Sequence, residues 1–286
     1  IKRVLVGRPL ASADQDHQRL PKFIALSTFS SDAISSTAYA TEEILFVIAL
    51  GGSSLALGLS ELVPIGIAVA LLLAIVVTSY RQTIYAYPSG GGSYVVSREN
   101  LGVAPLPVAG ASLLVVYILT VAVSISAGVA AIVSIPAFQD LREHRVPIGL
   151  GLIAFISVAN LRGIKESGRL FAVPTYIYIA SISALVGYGL FRTLVLDDIA
   201  KITPEHFEGA LTGGGLGLFL LLKGFSSGAV ALTGVEAISN GVPAFRRPKS
   251  RNAATTLLLL GLIAVALMLS VVSLANAMNV KYVDPH

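Results

Sequence analysis

The sequence predicts an all-α integral membrane protein, and three observations carry that prediction. The 286 residues are 55% hydrophobic and only 13% charged, well below the roughly 25% charge of soluble domains, with a mean hydropathy of +0.80. Apolar stretches near the length of about 20 residues that crosses a bilayer recur at 23–50, 59–80, 104–135, 147–161, 170–193, 213–243 and 253–277, the fourth being the shortest. Two of these seven, the first and the sixth, carry polar and small residues where hydrocarbon should be.

In the first stretch the run Phe29-Ser30-Ser31-Asp32-Ala33-Ile34-Ser35-Ser36-Thr37-Ala38-Tyr39 is followed by Thr41-Glu42-Glu43. An ionised carboxylate at bilayer depth costs at least ~2.5 kcal/mol on insertion scales. Such a group is kept only where it faces a partner, an ion or water. The stretch therefore reads as a discontinuous transmembrane helix lining a transport site. In the sixth stretch, Phe225-Ser226-Ser227-Gly228-Ala229-Val230-Ala231-Leu232-Thr233 aligns without gaps on Phe29–Thr37, with Phe, Ser, Ser, Ala and Thr identical. Five spans separate the starts of the two copies, so the second enters from the opposite face. That is an inverted-topology repeat, in which two interrupted helices meet near the midplane and form the substrate site. Unwound backbone is tolerable there because it lines a cavity, and half-helix ends present amides and carbonyls to charged cargo. The division expected is a cytoplasmic segment over 1–22, a first five-helix repeat over 23–193 and the start of a second repeat over 213–286. A five-plus-five repeat needs at least ten spans, so seven of an expected 10–12 imply an incomplete second repeat and a fragment of a longer chain.

Basic residues set the orientation. Lys2, Arg3, Arg8, Arg19 and Lys22 precede the first span; Arg81 and Arg98, then Arg162, Lys165 and Arg169, then Arg246, Arg247, Lys249 and Arg251 fall on the same side. The other side receives Arg142, Arg145, Arg192 and Lys201, with Lys281 after the seventh span. The positive-inside rule then makes the amino terminus cytoplasmic. The same bias accounts for the pI near 9.3 without nucleic-acid binding. No short apolar core with a cleavage site follows the basic residues of 1–22, so no removable signal is expected. Asp197, Asp198, Glu205, His206 and Glu208 in the outer loop 194–212 read as a solvated loop.

The run Ser30–Tyr39, the loop Tyr85-Ala86-Tyr87-Pro88-Ser89-Gly90-Gly91-Gly92-Ser93-Tyr94 and the segment Ala231-Leu232-Thr233-Gly234-Val235-Glu236-Ala237-Ile238-Ser239-Asn240 together resemble the amino acid–polyamine–organocation superfamily, and within it the KimA-type potassium importers. The resemblance implies a LeuT-like fold with helices 1 and 6 discontinuous, a cytoplasmic Pro-Gly-Gly loop and proton-coupled uptake of potassium. It also implies a multi-pass location in the cell membrane, with a homodimer as the expected assembly. Position by position it nominates Asp32 and Tyr39, Tyr117, Thr120 and Ser124, and Thr233 and Glu236. Potassium falls to Asp32, Tyr39 and Thr233, and the coupling proton to Glu236 and Asp32. One position departs: where the importers carry an acid just before the tyrosine, this chain has Val116. The missing carboxylate leaves an amino acid or another organic cation as the alternative cargo. The importers' carboxy-terminal domain, which binds a cyclic dinucleotide, has no counterpart in these residues.

The residues themselves allow the same reading. Asp32, Tyr39 and Glu43 share one face of a continuous helix, and a hard cation takes several oxygens, as calcium does and as channel filters provide. Capping by Asp32 is the plainer alternative. Tyr117, Thr120 and Ser124 form a polar stripe at i, i+3, i+7 that serves either cargo or interhelical hydrogen bonds, worth ~1 kcal/mol each. Burial holds a membrane-embedded Glu236 neutral and suits it to carry a proton; pairing with Lys223 is the structural alternative, with Glu61 as another partner for that lysine. Gly90-Gly91-Gly92 lacks the Gly-Lys-Ser/Thr ending of a phosphate loop and reads as a tight turn with close helix contact. Gly213-Gly214-Gly215 reads as a loop entering the sixth span. The histidines, His17, His144, His206 and His286, show no metal spacing. No catalytic constellation is present, so neither an enzyme nor a bound cofactor is expected.

Overall fold

A computed structural model of the chain describes residues 19–50, 55–161, 163–196, 198 and 217–280. Several residues weighed above lie outside them: Lys2, Arg3, Arg8, His17, Arg162, Asp197, Lys201, Glu205, His206, Glu208, Gly213–Gly215, Lys281 and His286. The described elements are helical: α1 (Lys22–Leu50), α2 (Leu55–Ala86), α3 (Gly92–Leu101), α4 (Leu106–Ser134), a 3-10 segment (Pro136–His144), α5 (Arg145–Leu161) and α6 (Ile164–Phe191), closed by a π turn (Arg192–Leu196). Then come α7 (Leu218–Gly228), 3-10 turns at Ala229–Leu232 and Val242–Ala244 flanking the four-residue α8 (Ala237–Asn240), and α9 (Lys249–Ala277). Six helical stretches are long and apolar enough to cross a membrane among the described residues. They match the second to seventh predicted spans. The first predicted span corresponds to α1, which is as long as α4 at 29 residues and carries Asp32, Glu42 and Glu43. The sequence reading had no helix at α3, where it saw only a loop.

The described residues divide into two compact units. One takes in those up to 28, 83–173 and 239–253; the other takes in 29–82, 174–238 and those from 254.

In the first unit the chain just before α1 is tied to the chain just before α9. Leu20 N donates to Ala244 O at 2.8 Å and Arg246 N donates to Leu20 O at 3.1 Å, an isolated parallel bridge over the fully buried Leu20 and Phe245. The glycine run behaves as its sequence requires. Gly90, Gly91 and Gly92 all have positive φ, at 79°, 91° and 46°, which side-chain-bearing residues rarely adopt. The turn lies flush against the residues around α8: Gly91 N donates to Asn240 O at 3.3 Å, and a Cβ on Gly90 would come within 2.6 Å of Pro243 Cδ. Ser239 Oγ and Asn240 Oδ1 are buried there without a hydrogen-bond partner among the described residues. Helix α4 packs on α3 and α5. The large side chains Val115, Ile118 and Leu119 stand exposed on α4, a surface suited to hydrocarbon or further protein and not to water.

In the second unit the core joins α1, α2, α9 and the turn after α7. Ile44, Leu45 and Ile48 pack with Leu62, Ile65, Val69, Ala231, Met268 and Val272.

Candidate functional site

The site is built where α1 meets the chain beyond α7. Residues 29–37, expected to be unwound, lie within one unbroken helix running from Lys22 to Leu50. The expectation of a discontinuous first helix is therefore corrected, and the reason is chemical. No glycine or proline interrupts residues 23–50. The hydroxyls that looked like helix breakers turn back on the helix's own carbonyls. Ser27 and Thr28 donate to Ile24 O at 2.8 and 2.7 Å. Ser35 donates to Asp32 O at 2.9 Å and Thr37 to Ile34 O at 2.8 Å. Such back-bonding satisfies a hydroxyl inside an apolar layer without opening the ladder.

The sixth stretch does break, as expected. Helix α7 ends at Gly228, a 3-10 turn follows, Thr233 is extended at φ −61°, ψ 140°, and Gly234 takes φ +79°. Thr233 Oγ1 donates to Val230 O at 2.8 Å, capping the turn it ends.

This broken strand of chain runs antiparallel along α1. A Cβ on Gly224 would lie 4.0 Å from Val47 Cγ1, and one on Gly228 would lie 2.8 Å from Ile44. Further along, Thr233 Oγ1 is 2.8 Å from Ser36 Oγ. A Cβ on Gly234 would fall 2.6 Å from Asp32 Oδ2 and 3.1 Å from the Ala33 amide nitrogen. Gly234 thus answers two demands, a left-handed backbone and close passage over the Asp32 carboxylate. Ser36 Oγ is in turn 2.8 Å from Tyr39 OH.

The structure so brings together Asp32, Tyr39 and Thr233, three of the nominated residues. Glu236, half-buried, follows three residues after Thr233 and lies within electrostatic reach of Asp32. No ion pair joins Lys223 to Glu61 or Glu236 among the described residues; Lys223 is exposed. Tyr117, Thr120 and Ser124 lie on α4 in the first unit, where Tyr117 OH accepts a hydrogen bond from Asn240 Nδ2. Val116 beside it is exposed. Sequence reasoning missed Ser36 and Gly234. The signal for Ser36 was present, since 32, 36 and 39 are spaced four and three apart and share one helix face. No group of three or more histidine, cysteine or carboxylate residues that could hold a metal ion occurs among the described residues. Oxygen ligands from hydroxyls and carbonyls stand apart from such clusters.

The site holds one carboxylate, a second nearby, and three linked hydroxyls. It is a site of oxygen acceptors, suited to a cation or to an ammonium group.

Residues 23–282 match the family model described as amino acid permease. Over 276 residues, 96% of this chain, the sequence is 49% identical to the potassium transporter KimA of Bacillus subtilis (strain 168). The chain spans 44% of that relative's length. On the match across residues 23–282, the chain belongs to the amino acid permease family, within the amino acid–polyamine–organocation superfamily.

Proposed function

We propose that this chain carries the cargo-gripping half of a secondary active transporter that imports potassium with a proton by alternating access. The observation that carries the reading is the Tyr39–Ser36–Thr233 hydroxyl chain set beside Asp32 at the break after α7. A monovalent cation that sheds its water needs several such oxygens. Asp32, Tyr39 and Thr233 hold the ion; Glu236, near enough to Asp32 to feel its charge, carries the proton. The relative named as a potassium transporter supports the choice of ion. The chain sits in the cell membrane as a multi-pass protein with its amino terminus cytoplasmic, as the placement of basic residues favours. Its break after α7 and its aligned copy in α1 form the inverted pair of a LeuT-like fold, and the full-length protein works as a homodimer.

Two observations favour a second reading. Val116 stands where the importers carry an acid, and the matching family model is that of amino acid permeases. In that reading Asp32 or Glu236 holds a substrate amine.

Uptake separates the two. The full-length protein is produced in cells lacking their own potassium uptake. Rubidium accumulation that a protonophore abolishes supports the first reading. Accumulation of a labelled amino acid, indifferent to potassium, replaces it with the second. Binding without accumulation of either overturns transport.

A further inference from the structure

The three linked hydroxyls have a direction, and it follows from counting hydrogens. Each hydroxyl carries one hydrogen and can otherwise only accept. Val230 O is a carbonyl, so in its bond with Thr233 Oγ1 the threonine must donate. Thr233 has then no hydrogen left for Ser36, and across their 2.8 Å contact Ser36 must donate. Ser36 in turn has none left for Tyr39, so across the second 2.8 Å contact Tyr39 donates. The chain reads Tyr39 to Ser36 to Thr233 to Val230 O. Every hydrogen is committed along it, and what the three oxygens have left to offer a ligand is lone pairs.

We propose that Ser36 is a positioning residue: it takes the hydrogen of Tyr39 and gives its own to Thr233, whose hydrogen Val230 O already holds, so that both flanking oxygens meet the cargo as acceptors and the site selects cations. This deepens the reading under Proposed function and rests on it. Ser36 is fully buried and does its work through its two neighbours. It sits one helical turn from Asp32 on the face that meets the break, where, among the described residues, its side-chain oxygen engages Tyr39 and Thr233. Without it, Tyr39 has no acceptor and is free to rotate, while Thr233 keeps its hydrogen on Val230 O but loses the donor that fixes its remaining lone pairs. A hydroxyl that turns its hydrogen toward a cation repels it.

The test compares Ser36→Ala with Ser36→Thr in the full-length protein, reading rubidium uptake against concentration. Ser36→Ala removes the relay and little volume; Ser36→Thr keeps the hydroxyl. The expected result is a KM for rubidium raised about tenfold in Ser36→Ala, the scale of one or two lost hydrogen bonds. The maximal rate should stay within about twofold and Ser36→Thr should restore most of the affinity. An unchanged KM in Ser36→Ala overturns the proposal and leaves potassium transport standing. So does an equal rise in both variants, which marks packing and not the hydroxyl as the cause. If wild-type protein accumulates no rubidium at all, the functional reading fails first and the proposal falls with it.

Discussion

Residues 29–37 and 225–233 begin with the same Phe-Ser-Ser, share an alanine and end on the same threonine, yet one is about two and a half turns of unbroken helix and the other is where a helix stops. The difference lies at the positions where they disagree. Where the second copy and its flanks have Gly224, Gly228 and Gly234, the first has Thr28, Asp32 and Ala38. Thr28 bonds back to its own helix, and Asp32 and Ala38 carry Cβ atoms that hold the helical basin. Gly234 takes a φ of +79°, which costs a side-chain-bearing residue about 1–2 kcal/mol. Serines and threonines are thus not what breaks a membrane helix here. Glycine at a place where the backbone must turn and pass close to a neighbour is. The division of labour is also informative: the rigid copy supplies side chains in fixed register, Asp32, Ser36 and Tyr39, and the broken copy supplies backbone and a single hydroxyl.

Several substitutions would break or sharpen this contrast. The largest effect is expected at Asp32. Asp32→Asn keeps the shape and removes the charge, and rubidium uptake should fall at least about 30-fold, the scale of losing a buried charged partner. Uptake at the wild-type level would remove Asp32 from the site. Next is the glycine exchange. Gly234→Ala faces both the left-handed backbone and a methyl 2.6 Å from Asp32 Oδ2, and uptake should drop at least about tenfold with a lowered melting temperature. Its mirror, Ala38→Gly, puts glycine at the aligned place in α1, costs about 1 kcal/mol, and should leave uptake within about threefold. Equal effects from the pair would dissolve the contrast. Smaller and of a different kind is Glu236→Gln: uptake down a potassium gradient should persist to within about fivefold, while the response to an imposed proton gradient disappears. A retained response assigns the proton elsewhere. Smallest are Ser35→Ala and Thr37→Ala. Their hydroxyls serve the helix's own carbonyls, so Ser35→Ala should change stability by no more than about 0.5 kcal/mol and the fully buried Thr37→Ala by about 1–2 kcal/mol, both leaving uptake unaltered. A large loss at either would mean that they face cargo.

Much of the helical layout was legible from apolar length alone, because the bilayer fixes how long a span must be. Six spans read that way have their helices, with ends shifted by a few residues, and α1 has its helix too. The shorter α3 was not legible: ten residues with Arg98, Glu99 and Asn100 carry no apolar signal. The break after α7 was legible in its run of small and polar residues, and Asp32, Tyr39 and Thr233 were nominated by the family resemblance. The continuity of α1 was not legible, since a serine that bonds back to its own helix and one that faces a ligand look the same in one dimension. Ser36 shows both halves of this. Its neighbours Ser35 and Thr37 turn inward on the helix, and only the approach of Thr233, 197 residues later, distinguishes it from them.

The pairing of the two copies is the claim on which the rest depends, and the chain, having no cysteine of its own, allows it to be read directly. In the full-length protein with any other cysteine removed, Ser36→Cys and Thr233→Cys are introduced together, and mild oxidation is followed by mass spectrometry of the peptides that hold the two positions. Their side-chain oxygens stand 2.8 Å apart, so a disulfide within the ordinary Cα range of about 4.4–6.8 Å should join them in most molecules. If both thiols stay reduced and each takes up a maleimide, the break does not lie against this face of α1.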